Sequence, residues 1–151
     1  MHKLLKYVKE LESKIPNQED YNPEISKSNV GWHIEHILLT NKMIIEAVEK
    51  SNPADYTWSF KLSRIVVFTM NKIPRGRAKA PKVVVPKTYD EQTLLEHLKI
   101  VTLKIQGLEN MSPDKYFEHP YFGNLRLNKT IKFLDIHTKH HLEIINDIMK
   151  K

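Results

Sequence analysis

The stretch FLDIHTKHHLEII, residues 133–145, decides how this chain is read, because three histidines stand within five positions of a run otherwise suited to a core. At about 100° per residue, Leu134, Ile145 and Ile148 mark one face of a helix, and His137 and His141 fall inside that face. His140 lies at its edge. Side chains at i and i+4 have Cβ atoms about 5–6 Å apart, close enough for two imidazoles to grip one ion. A third ligand must then come from another helix.

The same apolar period runs outward from this segment. Leu4, Leu5, Val8 and Leu11 predict a first helix over residues 2–14, ended before Pro16. Ser28 or Asn29 can cap a second helix over about 30–50. Its polar positions Glu35, Lys42, Glu46 and Glu49 keep to a narrow arc, which predicts burial on several sides. Residues 59–72 suit a short helix, and PRGRAKAPKVVVPK, residues 74–87, an extended loop or short strand. Thr88 or Asp90 opens a third long helix to about residue 107, and SPDKYFEHPYFGNL, residues 112–125, reads as irregular and aromatic. A fourth long helix covers 128–150. Four long helices without strong strands predict an all-α fold: a single domain, 1–151, built as a four-helix bundle with an extra short helix and an extended basic loop.

Composition narrows the chemistry. With 40% hydrophobic and 28% charged residues, the chain has the balance of a globular protein rather than a disordered one. No apolar run approaches the roughly 20 residues of a membrane span, and MHKLLKYVKELESK does not form a signal-peptide core. The expectation is a cytoplasmic protein with no membrane partner. The absence of cysteine removes disulfides and thiolate ligands, so a metal site must use His, carboxylate or water. The net charge of +6 attracts anions. Lys72, Arg75, Arg77, Lys79 and Lys82 crowd an acid-free segment, 72–82, that suits capture of a small anionic substrate. Nucleic acid is disfavoured as a partner, because the segment lacks interleaved aromatics and no helix-turn-helix pattern is visible.

The second helix carries GWHIEH, where His33 is near the middle of the apolar arc and His36 is nearer its flank. Periodicity slightly favours His33 and leaves the choice open. A lone apolar-face histidine is more often a hydrogen-bonded core residue, and HxxxH is a common accident in helices. The HExxH signature of a zinc protease is absent, since Glu143 follows the pair. His119, in HPYFG, is either a general acid/base at the bundle mouth or part of a turn shaped by Pro120 and Gly123. His2 and His97 are expected in solvent, and Trp32 and Trp58 in the core. A metal-free interaction protein is the alternative to an enzyme.

SNVGWHIEHILLTNKMI, residues 28–44, and FEHPYFGNLRLNKTIKFLDIHTKHHLEIINDI, residues 117–148, resemble the DinB/YfiT-like superfamily of metalloenzymes. The similarity is closest to a branch with a His-Pro-aromatic-Phe-Gly stretch before a last helix bearing HxxHH. That pattern joins one histidine of the second helix, followed by an aliphatic pair, to two at i and i+4 on the last. The resemblance implies His36, followed by Ile37 and Leu38, with His137 and His141 as ligands of one divalent ion. An imidazole-rich set suits zinc or nickel first, then iron or manganese. The resemblance also implies a metal-dependent hydrolase or a transferase using a low-molecular-weight thiol, and a homodimer. Three neutral imidazoles leave the ion its full charge and an open position, as in catalytic zinc sites. Ile144 departs from the pattern, standing where relatives carry Gln. His140, a further catalytic candidate beside His119, or Thr138 would then supply the polar contact.

Overall fold

The structure, a computed structural model, describes residues 1–76 and 80–150. Its helices are α1 (His2–Glu12), α2 (Val30–Lys50), α3 (Leu62–Met70), α4 (Glu91–Gly107) and α5 (Leu127–Met149). One antiparallel hairpin, β1 (Tyr116–His119) and β2 (Gly123–Arg126), precedes α5. Arg77 and Lys79 of the basic segment lie outside the described residues.

Local chemistry sets the helix ends. Asn29 is extended, and its Oδ1 accepts from the Trp32 amide at 2.9 Å, meeting one of the amides that a helix start leaves unpaired. The Tyr89 hydroxyl donates to the same oxygen at 2.6 Å. α2 stops at Ser51, just ahead of Pro53. Asp90 caps α4 by accepting from the Thr93 amide at 2.8 Å. α5 lacks a side-chain cap, and its first turn is tied back to the hairpin instead. The Thr130 hydroxyl donates to the Leu125 carbonyl at 2.7 Å, and the Leu127 amide to Lys115 at 2.8 Å.

The four longer helices share one apolar core: α2 packs on α4 and α5, and α1 packs on α5 and α4. Leu4 and Leu11, Ile34 and Ile45, Leu94 and Ile105, and Leu134 and Ile145 are fully buried contributors from the four. Such side chains stabilise the fold by about 1.5–3 kcal/mol each relative to exposure. The hairpin packs beside α2 and α5, and residues 82–84 pack beside α2.

Several expectations are corrected. The segment 112–125 is not irregular, since Phe117 pairs with Leu125 and His119 with Gly123 in the hairpin. Both apolar members of that first pair are buried, which ties the ribbon to the core. Gly123 has φ +68°, and a Cβ there would sit 2.3 Å from Ser59 Oγ. Only glycine suits this corner. Residues 82–84 form a short 3-10 turn rather than a strand. α1 ends earlier than expected, and Pro16 sits in a second short 3-10 turn over 15–17. Trp58 is 67% exposed, not core, and joins Phe60, Leu62 and Met70 on the surface around α3. Glu35, expected on a polar arc, is 3% exposed. His97 is not simply solvated, because its Nδ1 lies 2.9 and 3.0 Å from the two carboxylate oxygens of Glu35. A buried carboxylate needs such a partner.

Replacing Asn29 with Ala removes the α2 cap and the acceptor for Tyr89 together. Urea unfolding should show a loss of about 1–2 kcal/mol.

Candidate metal centre

Two turns of α5 and one turn of α2 meet at a group of imidazoles. The ring centroids of His36 and His141 are 4.7 Å apart, those of His137 and His141 4.7 Å, and those of His36 and His137 5.2 Å. One ring nitrogen from each of the three lies within 4.8 Å of the others. In a tetrahedral zinc site, nitrogens about 2.0–2.1 Å from the ion are about 3.4 Å apart, so a small inward shift of the rings completes the grip. Trp32 stacks on His36 with centroids 5.1 Å apart and planes at 15°, fixing the ring on its far side.

Hydrogen bonds around the group decide which nitrogens remain available. His36 Nδ1 is 2.8 Å from the Val84 carbonyl, which can only accept, so Nδ1 carries the proton and Nε2 keeps its lone pair. His141 Nδ1 is 3.0 Å from His33 Nδ1, and His33 Nε2 is 2.9 Å from Ser26 Oγ. His141 Nε2 is free to bind when His141 donates to His33 and His33 donates to Ser26. Outer partners of this kind orient a ligating imidazole and set its tautomer. His137 Nδ1 is buried with no hydrogen-bond partner. An unmet buried polar atom costs about 1–3 kcal/mol, and an ion is a partner that an imidazole lone pair can take. The donor set therefore fits a divalent cation.

Burial also sets the protonation state. It pushes His137 and His141 well below the usual imidazole range, with the neighbouring histidines adding to the effect. Burial lowers His36 too, against the Val84 bond, and takes His33 down to about 4. All four rings are therefore neutral near pH 7, as metal ligation requires.

His36, His137 and His141 line a cavity of about 250 Å³ between α2, α5, the hairpin turn and residues 73–76 and 80–84. His119 and His140 both line it. His119 Nδ1 accepts from the Tyr121 and Phe122 amides at 3.1 and 3.3 Å, while its ring stacks on Phe122 at 4.2 Å. The turn expected from Pro120 and Gly123 is thus held by His119 itself. With Nδ1 accepting, the proton sits on Nε2. Burial lowers this residue to about 4. His140 is half-buried next to His141, and burial lowers it as well. The Thr138 hydroxyl faces Asn41 Nδ2 at 3.4 Å and does not line the cavity, so it does not replace the missing Gln. Ile144 is buried.

Periodicity picked out His33 and His36 without separating their roles. Both are 4% exposed, yet one faces the pair on α5 and the other holds His141 from behind. Ser26 and Val84 carried no sequence signal, because each acts through an oxygen placed by the fold. The basic segment contributes Arg75, whose guanidinium bonds Asp147 at 2.7 Å. A second hollow, of about 640 Å³, lies between α3 and α5, away from the imidazoles. Of its cations, Arg64 is committed to the Ser59 and Phe122 carbonyls and Arg126 to Asp114.

Among the described residues, no helix is long and apolar enough to cross a membrane. Comparison of the chain with known family models, with curated proteins and with solved structures found no match.

Two outcomes follow from this geometry. His33→Phe keeps the packing but removes the acceptor for His141, so metal affinity measured against a competing chelator should weaken by about 10–100-fold. Unchanged affinity would mean that packing alone orients His141. In the metal-free protein, His33 and His119 stay neutral in the fold down to about pH 4, whereas the unfolded chain takes up their protons from about 6.5. Their depressed values make stability fall as pH drops from 6.5 toward 4, by about 1.4 kcal/mol per pH unit for each group, with no contribution above that window. Urea midpoints across this range check the slope.

Proposed function

We propose that the chain is a DinB/YfiT-like four-helix-bundle metalloenzyme holding one divalent ion through His36, His137 and His141. The observation that carries this reading is the convergence of three neutral imidazoles from two helices, two of them held from outside by Val84 and His33, in the lining of a cavity. An ion bound by three uncharged ligands keeps its full charge and acidifies water or a thiol. Zinc and nickel suit the donors best, with iron and manganese next.

Around the ion the protein positions and excludes water. Trp32, Phe122 and Phe133 wall the cavity, which strengthens electrostatic interactions inside it. His119, with its proton on Nε2, acts as a hydrogen-bond donor to a ligand. His140, half-buried and neutral, is the proton acceptor. The reaction classes we assign are hydrolysis or transfer to a low-molecular-weight thiol, in a cytoplasmic protein that pairs as a homodimer.

Elemental analysis of untagged protein tests the site. Ala at His36, His137 or His141 should each weaken metal binding by more than about 100-fold, a larger loss than that of an outer partner. His2→Ala should bind as the parent does. His97→Ala is a poor control, because it strips the buried Glu35 of its partner and lowers stability on that account. Wild-type protein that takes up no divalent ion would sink the proposal.

A further inference from the structure

The wall of the cavity restricts what can reach the imidazoles. Its volume, about 250 Å³, lies just under the range of roughly 300–1,000 Å³ typical of small-molecule sites. Trp32, Met43, Ile44, Pro81, Phe122 and Phe133 supply much of the lining. Among the described residues, no Lys, Arg, Asp or Glu lines it. Arg75 stands in the chain between two lining residues, Pro74 and Gly76, yet its guanidinium is bonded to Asp147. Thr40 lines the cavity, is 6% exposed, and its hydroxyl oxygen has no hydrogen-bond partner. A hydroxyl can donate or accept as it rotates, so it suits a neutral polar atom on the ligand. It cannot balance a carboxylate or sulfonate, whose removal from water costs several kcal/mol without a counter-charge. The ion would balance only the single group that it binds.

We infer that the cavity takes a small molecule whose body is largely apolar and of aryl or branched-alkyl size, and which turns one metal-binding group toward His36, His137 and His141. The inference rests on the metal-site reading for that one group. For the body of the ligand it rests on the wall alone.

The test uses phenylmethanethiol and 2-mercaptoethanesulfonate, two small thiols that differ in having an apolar ring or a fixed negative charge. Trp58→Phe leaves Trp32 as the single tryptophan of a chain that has two, and Trp58 is exposed and outside this cavity. Each probe is titrated into this variant, zinc-loaded and chelator-treated, following Trp32 fluorescence. The loaded protein should bind phenylmethanethiol at least about tenfold more tightly than the sulfonate, given the apolar area that the ring buries. The chelator-treated protein should keep weaker binding of the ring compound and show none of the sulfonate. If zinc fails to bind but this preference survives, the metal reading falls and the inference about the ligand body stands. Equal or tighter binding of the sulfonate overturns the inference, as does the absence of a Trp32 response to phenylmethanethiol in both forms.

Discussion

The structure depends on the contact that places His33 and His36 of α2 against His137 and His141 of α5. A helix pair packed through four imidazoles gives up some apolar contact and must satisfy eight ring nitrogens away from water. The protein meets part of this demand internally, through Ser26, Val84 and the His33–His141 bond. The rest is left facing a cavity. Elsewhere, α1, α4 and the far side of α5 pack through Leu, Ile and Val. That contrast separates a core serving stability from a core serving a ligand.

The segments between the long helices are used at the same site. Residues 82–84 turn so that the Val84 carbonyl reaches His36, and the hairpin places His119 and Phe122 in the lining of the same cavity. Both segments are short. Their positions come from apolar anchors, Val84 for one and Phe117, Phe122 and Leu125 for the other. Loss of such an anchor would act on the site without touching a ligand.

Among the described residues, two charged side chains beside this interior are paired outside it. Glu35, on the same helix as His36, is paired with His97 toward α4, and Arg75 is turned to Asp147. Among the described residues, the polar side chains lining the cavity are imidazoles, the Thr40 and Tyr121 hydroxyls and the Trp32 indole. A divalent ion placed there would be the dominant local charge, and its pull would act on whichever ligand atom faced it.

Much was legible in the sequence by itself. The period of Leu4, Val8 and Leu11, the caps Asn29 and Asp90, and the prolines after Ser51 determine where most helices run, because these signals act over a few residues. The same short-range geometry put His137 and His141 on one face. The hairpin was hidden, since four-residue strands offer too little alternation, and its pairing depends on Gly123 and on burial against the helices. Trp58 and Glu35 were misplaced for a related reason: exposure belongs to the packed whole, and a wheel drawn for one helix cannot include a neighbour such as His97. The division of labour between His33 and His36 was decided only in three dimensions. The two rings stand one turn apart on α2, and which one faces the α5 pair and which one holds it from behind follows from the rotation and approach of one helix on another.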